Sequence, residues 1–242
     1  MASATGIPER ADRIHNEEEP LLGRAGDASQ EEGKPFLLNL WIGTAPIAQA
    51  GIWILAAIVW GAIFSHKLIF FSAHPLLNSA GLLLMSQATL VLQPTHTAEQ
   101  KRTGTLYHFG FNLLGFSSLL SGFIIIEINK RGPGHEHFTS PHAIMGLTTY
   151  ILLIIQALIG FTQYFTPNLY GNVDNAKKVY KYHRMLGYTI FTLGLATVCA
   201  ASKTYYTDKI LGIQLWAVLV ASVLTLAGIL PRVKLQKLGL KQ

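Results

Sequence analysis

The chain has 242 residues, half of them hydrophobic and 13% charged, with a formal net charge of +6, and its apolar runs reach membrane-spanning length. That composition leaves no room for a large soluble domain. The charge hides an asymmetry: before residue 43 eight Asp and Glu face four Lys and Arg, whereas the remainder holds fifteen basic residues against five acidic. These basic residues lie in short loops beside apolar runs, where lipid headgroups rather than nucleic acid are the expected partners.

In chain order, the polar N-terminal tail (1–43) is expected to be disordered and lacks the apolar segment of a cleavable signal peptide. Within it Glu17 to Leu22 reads EEEPLL, an acidic dileucine pattern that would direct a protein to an endosomal, lysosomal or vacuolar membrane. Six apolar spans follow, at about 44–64, 73–92, 106–126, 141–165, 183–200 and 210–230. Pro75 and Pro141 fall in the first turns of their helices, and Pro94 and Pro167 follow the ends of the second and fourth spans. Cys199, the single cysteine, lies inside the fifth span and excludes an intrachain disulfide. A short basic tail (232–242) closes the chain.

An even number of spans places both termini on one side. With that side cytoplasmic, inner segments carry fourteen Lys and Arg and the outer loops five (Lys67, Lys130, Arg131, Lys203 and Lys209), the arrangement that the positive-inside bias favours.

Four histidines stand at the N-terminal edges of spans two to five: His74, His108, His142 and His183. Consecutive spans run in opposite directions, so His74 and His142 share the outer face and His108 and His183 the cytoplasmic face. A weak internal repeat accompanies them. His74 opens HPLLNSAG and His108 opens HFGFNLLG, both HxxxNxxG; His142 opens HAIMG and His183 opens HRMLG, both HxxxG. Asn78 and Asn112 fall one turn beyond their histidines on the same face. Gly81, Gly115, Gly146 and Gly187 are expected to let a bulky flat group approach.

In an up-and-down four-helix core, spans two and four are diagonal at roughly 14 Å, as are spans three and five. Two imidazoles with a metal between them about fill that diagonal, which suits a haem in the bundle with histidine on both faces. Iron with both axial positions taken by protein is suited to outer-sphere electron transfer. Two such sites, one near each membrane surface, would place the irons on the order of 20 Å apart. A lone histidine at a span edge is more simply a headgroup-level residue; four at successive entries are not. His15, His66 and His96 fit no such pattern.

The six spans, the histidine spacings of 34, 34 and 41 residues, HP at the second span and HxxxG at the fourth and fifth resemble the cytochrome b561 family over about residues 44–231. The resemblance implies an all-α, six-transmembrane-helix protein whose central four-helix bundle (spans two to five) holds two haem b groups. One would be held by His108 and His183 near the cytoplasm, the other by His74 and His142 near the far side. Ascorbate or a similar reductant would deliver electrons inside, and monodehydroascorbate or a ferric chelate would accept them outside; a homodimer is compatible with this. With no dopamine-monooxygenase-like sensor domain in this sequence, the chain resembles the short, core-only form.

Lys101, Arg102, Lys181 and Arg184 are placed around the two inner ligands, with Tyr107 and Tyr182 directly preceding them, a setting for haem propionates and an anionic reductant. The same basic residues also satisfy the positive-inside bias without any ligand. The family is often basic two residues before the third-span histidine, where this chain has Leu106; Lys181 holds the matching place before His183. Outside, His135, Glu136, His137 and Phe138 precede His142, and the His-rich loop resembles the family's outer substrate site. Glu127, at the end of the third span, is an interfacial residue or a further polar contact.

Two other readings fit part of the pattern. A metal transporter could use HEHxxxxH (His135 to His142), though it should also carry ionisable ligands near the bilayer midplane, where this chain has chiefly Gln and Asn. A cofactor-free structural membrane protein is the other. A flavocytochrome-type ferric reductase would need two histidines about thirteen residues apart on one helix, and no span has them.

Overall fold

A computed structural model describes residues 28–132 and 137–239. The EEEPLL segment, His135 and Glu136 lie outside the described residues. Among these residues the chain is helical, without strands, and six helices are long and apolar enough to cross a membrane: α1 (Ala45–Phe64), α2 (Ala73–Leu92), α3 (Ala98–Asn129), α4 (Pro141–Phe165), α5 (Val173–Ala201) and α6 (Leu215–Ile229). The all-α, six-span architecture expected from the apolar runs is the one observed.

Two helices begin well before their apolar runs. α3 starts at Ala98 because Thr97 and Gln100 form a reciprocal cap: Gln100 N–H donates to Thr97 Oγ1 (3.2 Å) and Thr97 N–H to Gln100 Oε1 (3.4 Å). α5 starts at Val173 because Asn172 Oδ1 accepts from Asn175 N–H (2.8 Å). His108 and His183 therefore sit about three turns inside their helices rather than at the edges. The polar turns that precede them are helical through capping, which a search for apolar length does not detect. α4 starts as expected, with Ser140 Oγ accepting from Ala143 N–H (3.2 Å) and Pro141 in the first turn. The last span starts at Leu215, later than the apolar run implied, after a π-helical turn (Tyr206–Ile210) and Gly212 at φ 66°.

The helices pack as antiparallel pairs: α2 lies along α3, α4 along α5, and α1 along α6. The apolar core is built between α1, α2, α5 and α6, from Ile52, Leu55, Leu82, Leu90, Phe191, Leu195 and Ile229 among others. Apolar surface alone does not hold helices together in lipid, so the joints use small residues and polar pairs. A side chain at Gly51 would collide with Thr225 of α6, and one at Gly228 with Ala48 of α1. Gln49 and Gln87 exchange amide hydrogen bonds (2.7 and 3.0 Å), and Trp60 Nε1–H donates to Ser79 Oγ (2.8 Å), which locks α1 to α2.

Across the middle, Leu119 of α3, Leu153 of α4 and Ile190 of α5 are buried together, with Met85 of α2 packed on them. They lie seven to eleven residues beyond the histidines of their own helices. An apolar partition thus crosses the bundle between its two histidine-bearing ends. On either side of it α3 and α4 meet through aromatic pairs, Phe123 with Tyr150 (4.8 Å) and Phe109 with Phe165 (5.1 Å), so the α2–α3 and α4–α5 hairpins face each other across the bundle.

The chain after α6 turns back over one end of the bundle as a strap of two short 3-10 turns, Leu230–Arg232 and Leu235–Leu238. Arg232 is buried and donates from Nη2 to the carbonyls of Asn39 (3.0 Å) and Leu90 (3.2 Å). The strap is thereby fastened to the end of α2.

Candidate functional site

At one end the imidazoles of His74 (α2) and His142 (α4) face each other with ring centres 6.2 Å apart and planes at 87°; at the other, those of His108 (α3) and His183 (α5) stand 6.5 Å apart at 74°. The pairing inferred from alternating span direction is the pairing in space. Each pair joins diagonal helices across the gap between the hairpins.

The protonation pattern of these rings follows from their neighbours. His74 Nδ1–H donates to Gly122 O of α3 (2.8 Å), His108 Nδ1–H to Ala88 O of α2 (2.9 Å), and His142 Nδ1–H to Thr197 O of α5 (3.0 Å). A carbonyl can only accept, so Nδ1 carries the proton in all three neutral rings and Nε2 keeps its lone pair. This is how metal-ligating histidines are oriented, with Nδ1–H held by a carbonyl and Nε2 turned to the ion. His183 is the exception: among the described residues its buried Nδ1 has no hydrogen-bond partner, and its ring rests on Gly160 of α4.

The asparagines of the repeat act locally. Asn78 Nδ2 donates to His74 O (2.8 Å) while its Oδ1 accepts from Tyr150 OH of α4, which links the α2–α3 hairpin to α4. Asn112 Nδ2 donates to His108 O (2.9 Å) and also lies 3.1 Å from His108 Nε2, a contact that fits a ring whose Nε2 is unprotonated. The repeat glycines do something other than expected. A side chain on Gly81 would meet Leu119 and the Gly115 carbonyl, one on Gly146 would approach Thr197, and one on Gly187 would meet Gln156. They serve close helix packing, because the hairpin helices approach backbone to backbone. The glycine that admits a ring, Gly160, belongs to no repeat and carries no sequence signal.

Two imidazoles sharing one metal through Nε2, at about 2 Å per metal–nitrogen bond and about 1.1 Å from nitrogen to ring centre, have centres about 6 Å apart. Both pairs meet this separation. Among the described residues no group of three or more His, Cys, Asp or Glu could hold a metal ion by itself. Each pair therefore offers two axial ligands and nothing equatorial, a donor set that fits an ion carried by its own planar macrocycle. The residues present fit bis-histidine haem at both ends.

The remaining candidates divide. Arg184 turns inward and donates from Nη1 to the Lys237 carbonyl of the strap (3.1 Å), with its guanidinium 6.0 Å from the Tyr180 ring centre. Lys101 lies close enough to Arg184 and Lys237 for their charges to interact. Lys181 lines an open hollow with Tyr180 and Arg184, and its Nζ lies 4.8 Å over the ring of Tyr182, which is exposed. Arg102 is exposed, and Tyr107 stacks on Phe36 at 5.0 Å on the outside of α3, so these two are not brought to the others. Tyr107 is one residue and Arg102 six residues before His108, and at both offsets the side chain leaves the helix on a different face from the ligand. At the opposite end His137 Nδ1 lies 3.1 Å from Glu127 Oε2, which ties the loop before α4 to the end of α3. Lys234 and Lys237 of the strap were not among the sequence candidates; they read as ordinary terminal bases and reach the site only through the fold.

A six-span membrane protein with two opposed histidine pairs, each fit for an axially ligated metal, is the class that fold and site define. The family profile described as eukaryotic cytochrome b561 matches residues 73–207, from the start of α2 to the turn after α5. The chain belongs to the cytochrome b561 family. It is 26% identical over 163 residues to the human transmembrane ascorbate-dependent reductase CYB561, covering 67% of this chain and 63% of that protein. The sheep protein of the same name is 26% identical over 186 residues (76% of this chain, 72% of the relative). The maize ascorbate-specific transmembrane electron transporter 2 is 24% identical over 173 residues (66% and 72%).

Proposed function

We propose that this protein carries single electrons across a membrane, from ascorbate or a similar reductant on the cytoplasmic side to monodehydroascorbate or a ferric chelate on the other. The observation that carries this reading is the pair of diagonal histidine contacts at 6.2 and 6.5 Å, each with a metal-ready donor set. Ascorbate as donor is supported by the human and maize relatives, an ascorbate-dependent reductase and an ascorbate-specific electron transporter by name.

Two b-type haems, held by His74 with His142 and by His108 with His183, would supply reversible one-electron chemistry without an open coordination position. The chain's own residues do the rest. Gly122, Ala88 and Thr197 hold three imidazoles in one tautomer and orientation. Leu119, Leu153, Ile190 and Met85 close the bundle between the ends, excluding water and ions from a path that electrons alone need to cross. Such a partition disfavours the metal-transporter alternative, which requires ionisable groups at that depth.

Orientation follows from charge: the Lys101, Lys181, Arg184, Lys237 end is assigned to the cytoplasm with the basic strap, while His137 and Glu127 face the other side. A cytoplasmic cluster of this sign suits an anionic reductant. Net movement of one electron would couple to the membrane potential at about 2.3 kcal/mol per 100 mV.

The test is a vesicle assay. Protein sealed into liposomes with ascorbate inside should reduce external monodehydroascorbate or a ferric chelate, with a rate that responds to an imposed potential. Leakage-corrected rates no higher than those of empty liposomes would contradict the proposal.

A further inference from the structure

At the cationic end the strap at residues 230–239 crosses from α6 over the end of α2 to α5, and polar contacts fasten it. Arg232 grips Asn39 O and Leu90 O, Lys237 Nζ donates to Thr95 O (3.2 Å), and Arg184 Nη1 donates to Lys237 O (3.1 Å). Lys237 thereby sits half-buried beside Arg184 and Lys101, and with Tyr180, Lys177, Lys178 and Lys181 it lines an open hollow of about 330 Å³ next to His183.

Like charges are costly to gather. Asp174 engages Lys177 at the exposed rim, yet among the described residues no carboxylate lies within ion-pair distance of Lys101, Arg184 or Lys237. Among the described residues one backbone carbonyl, that of Thr95, accepts from Lys237 Nζ, which leaves two of its three hydrogens for a ligand. Burial first, then the charges of Lys234, Arg184 and Lys101, pull the Lys237 ammonium down to about 7. An anion entering the hollow would relieve all three conditions at once.

We propose that the strap completes the binding site for the anionic reductant, with Lys237 as a ligand-binding residue that lines the hollow together with Arg184 and Lys181. The inference rests on the reading that a small organic anion, an enediolate such as ascorbate, is the donor at this end. Lys237 sets specificity for charge: it favours an anion over a neutral reductant of similar potential. Because the amine loses its charge above neutrality, anion binding weakens as pH rises through about 7 and takes up a proton there.

The experiment uses haem-loaded protein in nanodiscs of phosphatidylcholine alone, so that no acidic headgroup competes. Binding of labelled ascorbate is measured by anaerobic equilibrium dialysis, beside initial rates of haem reduction by ascorbate and by a neutral hydroquinone. Lys237→Glu should weaken ascorbate binding and raise its KM about tenfold or more, with hydroquinone rates and haem content unchanged; Lys237→Gln should give a smaller loss and Lys237→Arg near-native binding. Wild-type affinity should fall severalfold from about pH 6 to about pH 8, and Lys237→Arg should flatten that dependence.

Unchanged ascorbate affinity in Lys237→Glu overturns the proposal. So does a defect seen only in nanodiscs containing phosphatidylserine, which would assign the cluster to lipid headgroups. If ascorbate binds the wild type without reducing its haems, the donor assignment fails, and the strap is still judged by the dialysis of Lys237→Glu.

Discussion

The His183 ring packs directly on Gly160: a methyl group at that glycine would stand 2.8 Å from His183 Cε1. Of the four imidazoles, His183 alone has no carbonyl partner for Nδ1 among the described residues, so its orientation depends on this contact and on Gln156, whose amide donates to the His183 carbonyl (2.7 Å). Gly160→Val should therefore displace the ring and empty the haem site proposed for His108 and His183. Pyridine haemochrome analysis should show a loss of about half the haem per chain, with the other centre retained.

Replacing the ligands themselves should separate the two ends. His108→Ala or His183→Ala should remove one centre and stop reduction of the remaining one by ascorbate. His74→Ala or His142→Ala should leave the cytoplasmic centre reducible. Stopped-flow spectra with ascorbate, at matched expression, distinguish the two outcomes.

The hydrogen bond from Tyr150 to Asn78 is the link between α4 and the hairpin that presents His74. Tyr150→Phe should cost about 1 kcal/mol of stability and leave both haems bound, because Asn78 keeps its bond to His74 O. A redox titration should show a shift confined to the far-side centre.

Glu127 and His137 form a partly exposed pair, 37% and 30% accessible for the histidine and glutamate side chains. Such a pair contributes within about 1 kcal/mol, so Glu127→Gln should barely alter melting. Its effect should appear as a changed KM for the external acceptor, since the pair anchors the loop that leads to His142.

Gly51 and Gly228 set the close approach of α1 and α6. Gly228→Val should destabilise by about 1–3 kcal/mol through overpacking against Ala48, while the haem-to-protein ratio stays the same, because both histidine pairs belong to α2 to α5. Thermal melting and haem content measured together check the separation.

Much of this arrangement was legible in the residues. The six spans follow from apolar length, and the pairing of His74 with His142 and of His108 with His183 follows from alternating direction. What escaped has a common cause. The helical turns before His108 and His183 are polar and depend on caps at Thr97 and Asn172, which hydropathy averages away. The carbonyls of Ala88, Gly122 and Thr197 have no side-chain signature, since any residue supplies one. Lys237 meets Arg184 across 53 positions of sequence, and Tyr107 and Arg102 stand near His108 in sequence while facing elsewhere.

The central claim is that the four histidines are axial ligands to two haems. It is tested most directly by haem-to-protein stoichiometry with electron paramagnetic resonance on the purified oxidised chain. The account predicts two haems per chain, both low-spin with two imidazole ligands, falling to one when either member of a pair is replaced. A protein that folds without haem, or that keeps two haems after His108→Ala, would contradict it.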